Sequence, residues 1–399
     1  MRRANLALIL RHLQRAGSGT RSRIALETGL SKATLSNLVV ELIDRHLVRE
    51  DGPDRGGGVG RPGLTVSLDG RAVAGVGVEI DSEYAAVSAV DLQGTVIRET
   101  EAPVDVVALG PEATLDRVAR LIGRTVLSLT EARVHVAGIT VSAPGVIDYT
   151  TGTLRFAPNL GWRDIPLVER LTDRFSQPFP QIALENDAKL AAIAEYASGY
   201  QQQGVEDLVY LAGQAGIGAG IVANGQLVRG WSGFSGEVGH LPLDPTGRPC
   251  ACGRTGCWEG LIGLRALLRR AADDSDPIHD PRRLLEDRLT ELHERAVAGD
   301  ARVLEAIHDV ATDLSRGMSI VVDVLNPEVV VLGGYFAILG DLMLEPVRAG
   351  LATRRMDDGS AVRVEPSRLG MTSTSLGGAI AALEEVFRDP LLVPVQARG

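Results

Sequence analysis

Apolar side chains at Leu6, Leu8, Ile9, Leu10 and Leu13 have the spacing of a helix, which the glycines of Ala16-Gly17-Ser18-Gly19 bring to an end. Thr20 offers a capping hydroxyl to a second helix over Arg21 to Thr28, and Gly29 permits the sharp turn of a helix-turn-helix. Ser31 caps a third helix, in which Leu35, Leu38, Val39, Leu42 and Ile43 form one apolar stripe. Beyond it the period shortens. Leu47-Val48-Arg49 and Leu64-Thr65-Val66-Ser67-Leu68 alternate as strands around the glycine-rich loop Gly56 to Gly63, the pattern of a hairpin wing.

From Ala72 onward strands and helices take turns. Residues 72–80 and 84–92 read as the two buried strands of a hairpin, 112–129 as an amphipathic helix, and 134–145 as a strand running into a Pro144-Gly145 turn. A helix follows around Ala188 to Gly199. Residues 207–228 repeat the glycine-bearing strand-turn-strand theme, and helices near 263–272, 281–297 and 301–324 precede a strand at 328–334. The predicted class is α/β: a winged helix-turn-helix over 1–70, then two αβ lobes of the ribonuclease H-like kind found in actin and sugar kinases. The first lobe is expected over 71–197, completed by a C-terminal helix at 376–390, and the second over 198–375 with a dimerisation surface.

Composition narrows the setting. At 399 residues and 45% hydrophobic, the chain has material for two or three cores. No apolar run approaches a membrane span, and Arg11 and His12 interrupt a leader-like N-terminus that has no small-residue cleavage site, so a cytoplasmic protein is expected. The net charge of -10 hides an asymmetry: residues 1–63 hold eleven Lys or Arg against six Asp or Glu. A basic head sits on an acidic body. The exposed start of the third helix offers Ser31, Lys32, Thr34, Ser36 and Asn37 to base edges and phosphates, and Arg55 and Arg61 in the wing can meet phosphates. A small helical protein-interaction domain is the other reading of this head.

All three cysteines fall between Gly236 and Glu259, with His240 ten positions before the first. An odd number of cysteines in one cluster argues against a disulfide framework. His240, Cys250, Cys252 and Cys257 supply the donors of tetrahedral zinc, and four protein ligands leave no position for a catalytic water, so a structural zinc is expected. Reactive thiols are the alternative.

Specific segments carry a family resemblance. LSKATLSNLVVELIDRHLVRE resembles the winged helix-turn-helix of bacterial repressors, and Arg61-Pro62 matches the glycine-arginine-proline wing of one group of them. GIGAGIVANGQLVRGWSGFSGEVGH followed by CACGRTGCWEG resembles the signature of the ROK family, and APGVIDYTTGTLRFAPNLGW and ENDAKLAAIAEY resemble two further blocks. With its head, the chain is similar to the repressor branch of that family. The resemblance implies a sugar held between the lobes by Asn159, Asn186, Asp187, Glu237, His240 and Glu259. From the residues alone, Asp187 serves equally well as a helix cap, and Glu237 and Glu259 as solvated loop charges. His240 can bind a metal through one ring nitrogen and offer the other to a sugar.

The resemblance also marks a departure. Kinases of the family carry an aspartate, paired glycines and a threonine in the first hairpin, where this chain has Gly77, Glu79, Ile80 and Asp81. Gln214-Ala215-Gly216 stands where they have Gly-Thr-Gly, whereas Asp187 keeps the position of their general base. The expectation is a sugar-responsive transcriptional regulator and not an enzyme. It acts as a homodimer or dimer of dimers on inverted-repeat operator DNA, with no membrane partner, and lobe closure sets the spacing of its heads. An ATP-dependent sugar kinase with an added DNA-binding domain is the alternative.

Overall fold

The computed structural model describes residues 1–53, 64–214, 216–354 and 361–395. Helices Arg2–Ala16, Arg21–Thr28 and Lys32–Asp44 form the head. The Thr20 hydroxyl accepts the Arg23 N–H and Ser31 Oγ accepts the Thr34 N–H, so both caps lie where the sequence puts them. Leu6, Ile9, Leu10 and Leu13 are buried, but Leu8 is exposed because it falls on the far side of its helix. Strands Val48–Pro53 and Leu64–Leu68 pair antiparallel as the wing. A third strand, Ser18–Thr20, pairs with the other edge of Leu64–Leu68. It was hidden in the sequence because Gly17 and Gly19 signal only the end of a helix. Arg55 and Arg61 lie outside the described residues.

Two five-stranded sheets follow the head. The first runs Ile182–Asn186, His135–Ala143, Val73–Ile80, Tyr84–Asp91, Val96–Pro103, and the second Arg363–Pro366, Val329–Gly334, Leu208–Gly213, Ile217–Ala223, Gln226–Leu227. Each is a three-stranded antiparallel meander extended by two parallel strands on the side of its first strand. The lobes are therefore the same topology built twice. The outer strands Val96–Pro103 and Arg363–Pro366 and the helix Asp341–Ala352 were not anticipated. Val96–Pro103 is exposed along most of its length, so it lacks the alternation that marks a half-buried strand. The helix expected at 112–129 begins at Val106 and is broken at Gly110, whose φ of 70° precedes Pro111.

The C-terminal helix begins at Ser373 and runs to Arg388. It presses on the first sheet where Gly75 and Gly77 lie: a Cβ on Gly77 would stand 1.8 Å from the Ser375 carbonyl oxygen. Its own Gly377 meets Leu190 of helix Asp187–Glu195 just as closely, so glycine on both partners permits the contact. Further along, Leu383, Val386 and Phe387 join Leu6, Ile9, Leu13 and Val73 in one apolar cluster. Arg11 binds both carboxylate oxygens of Glu384 and lies over the Phe387 ring. Arg45 donates to the Val393 carbonyl. The head is thus docked through packed surface as well as through its linker. Among the described residues no helix is long and apolar enough to cross a membrane.

Candidate functional site

A cleft of about 1000 Å³ opens between the lobes. Asn159, Asn186, Asp187, Glu237, His240 and Glu259 all line it, although they come from segments one hundred residues apart in the chain. Strand Ile182–Asn186 ends at the cleft floor and passes directly into helix Asp187–Glu195. Asn186, and not Asp187, is the cap: its Oδ1 accepts the Lys189 N–H while its Nδ2 donates to the Gly145 carbonyl. Both polar atoms of Asn186 are thereby used within the protein, so it holds the corner on which Asp187 stands. Asp187 accepts the Ala188 N–H next to it, and burial, reinforced by Asp81, pushes its carboxyl up to about 6.

Glu237 faces the same space, and burial with the nearby Asp187 charge raises it to about 7. Glu259 opens the short helix Glu259–Ile262 and accepts the Ile217 N–H at 3.1 Å. Gly216 lies between Asn159 and Glu259: a Cβ there would come within 2.8 Å of a side-chain atom of each. Only a residue without a side chain lets those two polar groups converge.

The cysteine loop supports this wall. His240, Cys250, Cys252 and Cys257 offer one donor atom each, all within 4.8 Å of one another. Cys252 and Cys257 Sγ are 3.7 Å apart, and Cys250 Sγ is 3.8 Å from His240 Nδ1. A tetrahedron with metal–sulfur bonds of about 2.3 Å has edges of about 3.8 Å, so the donor set fits a four-coordinate metal. The other imidazole nitrogen, Nε2, points to Glu237 at 3.8 Å, which joins the metal loop to the cleft lining. Trp258, beside Cys257, is fully buried and donates from Nε1 to the Asp313 carbonyl, fastening the loop to helix Ala301–Leu325.

In the first hairpin, Glu79 is 2% exposed. Its Oε1 accepts from Tyr84 Oη at 2.8 Å and from Gln214 Nε2 of the opposite lobe at 3.5 Å, and its Oε2 has no partner. Burial, with Asp81 close by, pushes this carboxyl up to about 8. Sequence reasoning passed over Lys189, whose buried Nζ donates to the Gly233 carbonyl at 2.5 Å and ties the loop before Glu237 to the Asp187 helix. A signal was available: it is one of only two lysines in the chain.

The ROK family profile matches residues 75–385. The chain belongs to the ROK family. The IclR helix-turn-helix domain matches residues 4–52, so this ROK protein carries a DNA-binding head of known type. The xylose repressor of Bacillus spizizenii is 27% identical over 385 residues, covering 96% of each chain. The crystal structure of a ROK family transcriptional regulator, a homologue of the E. coli MLC protein, has a TM-score of 0.78, 22% identity and 98% coverage of both chains, which shows the shared fold. A ROK glucokinase from Streptomyces griseus, solved with glucose and AMPPNP, gives a TM-score of 0.66 and 26% identity but covers only 78% of this chain. The xylose repressor matches along nearly the whole length, head included, and the glucokinase match leaves part of the chain uncovered. The chain reads as a ROK transcriptional regulator, with the kinase reading disfavoured.

Proposed function

We propose that this ROK regulator binds operator DNA through its head and a sugar or sugar derivative in the cleft, without phosphorylating it. The observation that carries the second half is buried Glu79. Where the family resemblance puts a phosphate-facing glycine, this chain has a carboxylate in contact with Gln214 from the second lobe. Asp81, also buried, adds a second acid where a threonine is expected. Glu79, neutral below about 8, opposes a polyphosphate by filling the turn where the backbone would approach it, and an ionised Asp81 would also repel it. Asp187 then has no phosphoryl donor to serve, and its role is to accept hydroxyl hydrogen bonds from the sugar together with Asn159, Glu237 and Glu259. His240 Nε2 adds a further polar group, and zinc bound by His240, Cys250, Cys252 and Cys257 braces the wall.

On the head, Lys32, Thr34 and Asn37 are exposed and Ser36 is half-buried at the start of helix Lys32–Asp44, which supports its use as the recognition helix. Ser31 contributes as its cap. Arg55 and Arg61 are assigned to phosphate contacts. Ile320 and Val324, one turn apart and exposed on helix Ala301–Leu325, suit a homodimer contact, and a two-fold dimer reads an inverted repeat.

The test is incubation with ATP, magnesium and a panel of aldoses, following ADP release. No turnover above background is expected, and turnover at an ordinary kinase rate, about 1–100 per second, overturns the sensor reading. Asp187→Asn keeps the shape of the side chain and removes its charge. Calorimetry should show affinity for the best-binding sugar falling by about tenfold to a hundredfold. Wild-type binding itself should weaken as pH drops through about 6, because protonation removes the carboxylate acceptor.

A further inference from the structure

The chain is poor in aromatic residues, at 4%, and nearly all of them are buried or half-buried. Among the described residues only Tyr149, Trp231 and Phe234 are exposed aromatics, at 47%, 99% and 56%. All three line the same cleft. An exposed tryptophan has a large desolvation gain waiting for a partner, and three such side chains gathered on one opening are not a random scatter of surface apolar groups.

The loop that carries Trp231 is held firmly at its base. Gly230, Gly233 and Gly236 adopt φ of 72°, 82° and 92°, a left-handed backbone that glycine tolerates. Lys189 holds the Gly233 carbonyl, and Arg229 pairs with Glu185 at 2.6 Å. Gly233 also lies against the Ile147 carbonyl of the first lobe, where a Cβ would be 2.6 Å away, so the loop bridges the two lips of the cleft. Arg229 sits 5.9 Å from the Tyr149 ring centroid. Trp231 therefore projects into solvent from a pinned loop, beside a floor of carboxylates.

We infer that Trp231, with Tyr149 and Phe234 beside it, is a stacking platform for the C–H face of a pyranose whose hydroxyl edge meets Asp187, Glu237 and Glu259. This rests on the sugar-binding reading above. A pyranose is amphipathic: equatorial hydroxyls occupy its rim and axial C–H groups its faces, so acids below and an indole above satisfy both parts at once. The ligand class is an aldopyranose, free or glycosidic, with an unbroken C–H face.

Fluorescence isolates the group, because Trp162 is 3% exposed and Trp258 0%, leaving Trp231 as the solvent-facing emitter. The full-length protein is titrated with D-glucose, D-xylose, D-mannose and N-acetyl-D-glucosamine, recording thermal shift, emission maximum and acrylamide quenching together. A sugar that stabilises the protein should shift emission to the blue and cut quenching of the exposed component at least twofold. Trp231→Ala should weaken that sugar about tenfold, and Trp231→Phe should restore most of the loss. A sugar that stabilises the protein while quenching stays unchanged, or a Trp231→Ala protein that binds with wild-type affinity, overturns the platform and leaves the sensor reading intact. Silence of wild type toward the whole panel in thermal shift overturns both.

Discussion

Cys257→Ser removes bound zinc and lowers the melting temperature by about 5–10 °C, and a strong chelator does the same to wild type until zinc is returned. The expected metal content before treatment is one zinc per chain by atomic absorption. The size follows from how much the metal secures. His240 sits in a single turn of 3-10 helix, and the three cysteines sit in turns with short bridges at Pro242–Cys257 and Pro249–Thr255. Backbone hydrogen bonds such as Cys250 N–H to the Arg254 carbonyl, and the buried Trp258, hold part of the loop without a metal, so the expected loss is partial. Three cysteines and a histidine crowded together also carry their own cost of burial. Glu237 and Glu259 flank this loop, so the sugar-induced thermal shift should vanish with the metal and return with it. A protein that contains no zinc as purified, and that binds sugar unchanged in chelator, would sink the assignment.

Glu79→Gln stabilises the protein at pH 8 by on the order of 3 kcal/mol and leaves it nearly unchanged at pH 5. The sign follows from the raised carboxyl. In the unfolded chain Glu79 ionises near its usual 4.5, and in the folded protein only near 8. Between those values the folded state holds a proton that the unfolded state has released, so wild-type stability declines as pH rises across that window. Glutamine keeps the shape, stays neutral and removes this share of the slope. Asp187, raised to about 6, contributes a smaller share that remains in the variant. Denaturant melts of both proteins at pH 5, 6, 7 and 8 measure the difference. Equal stability at pH 8 would mean that Glu79 ionises at little cost in the folded protein, which would overturn the raised carboxyl.

The head was legible because its signals are local: Thr20 and Ser31 act as caps on the residues that follow them, and the stripe from Leu35 to Leu42 belongs to one helix. The cysteine cluster was equally plain because its donors lie within eighteen positions of one another in the chain. What escaped depends on contacts between distant segments. Asp187 and Asn186 are adjacent and both can cap, and only the Gly145 carbonyl and the Lys189 N–H decide that Asn186 does. The strand Ser18–Thr20 exists only because Leu64–Leu68 offers it an edge. Trp231 carries no sequence signal of its own, and its exposure becomes visible only when Lys189 and Ile147 fix where its loop runs.

The C-terminal helix alters what the ends of this chain mean. Ser373 to Gly378 lie against the first sheet and the Asp187 helix, and Leu383, Val386 and Phe387 pack where the first sheet meets the head. One rod therefore spans from the helix behind the cleft to the DNA-binding head. A linker transmits only tension, whereas a rod packed at both ends also transmits rotation. Under the proposed sensor reading, a tilt of the first lobe on closing would carry the recognition helix with it, with helix Ser373–Arg388 as the axle.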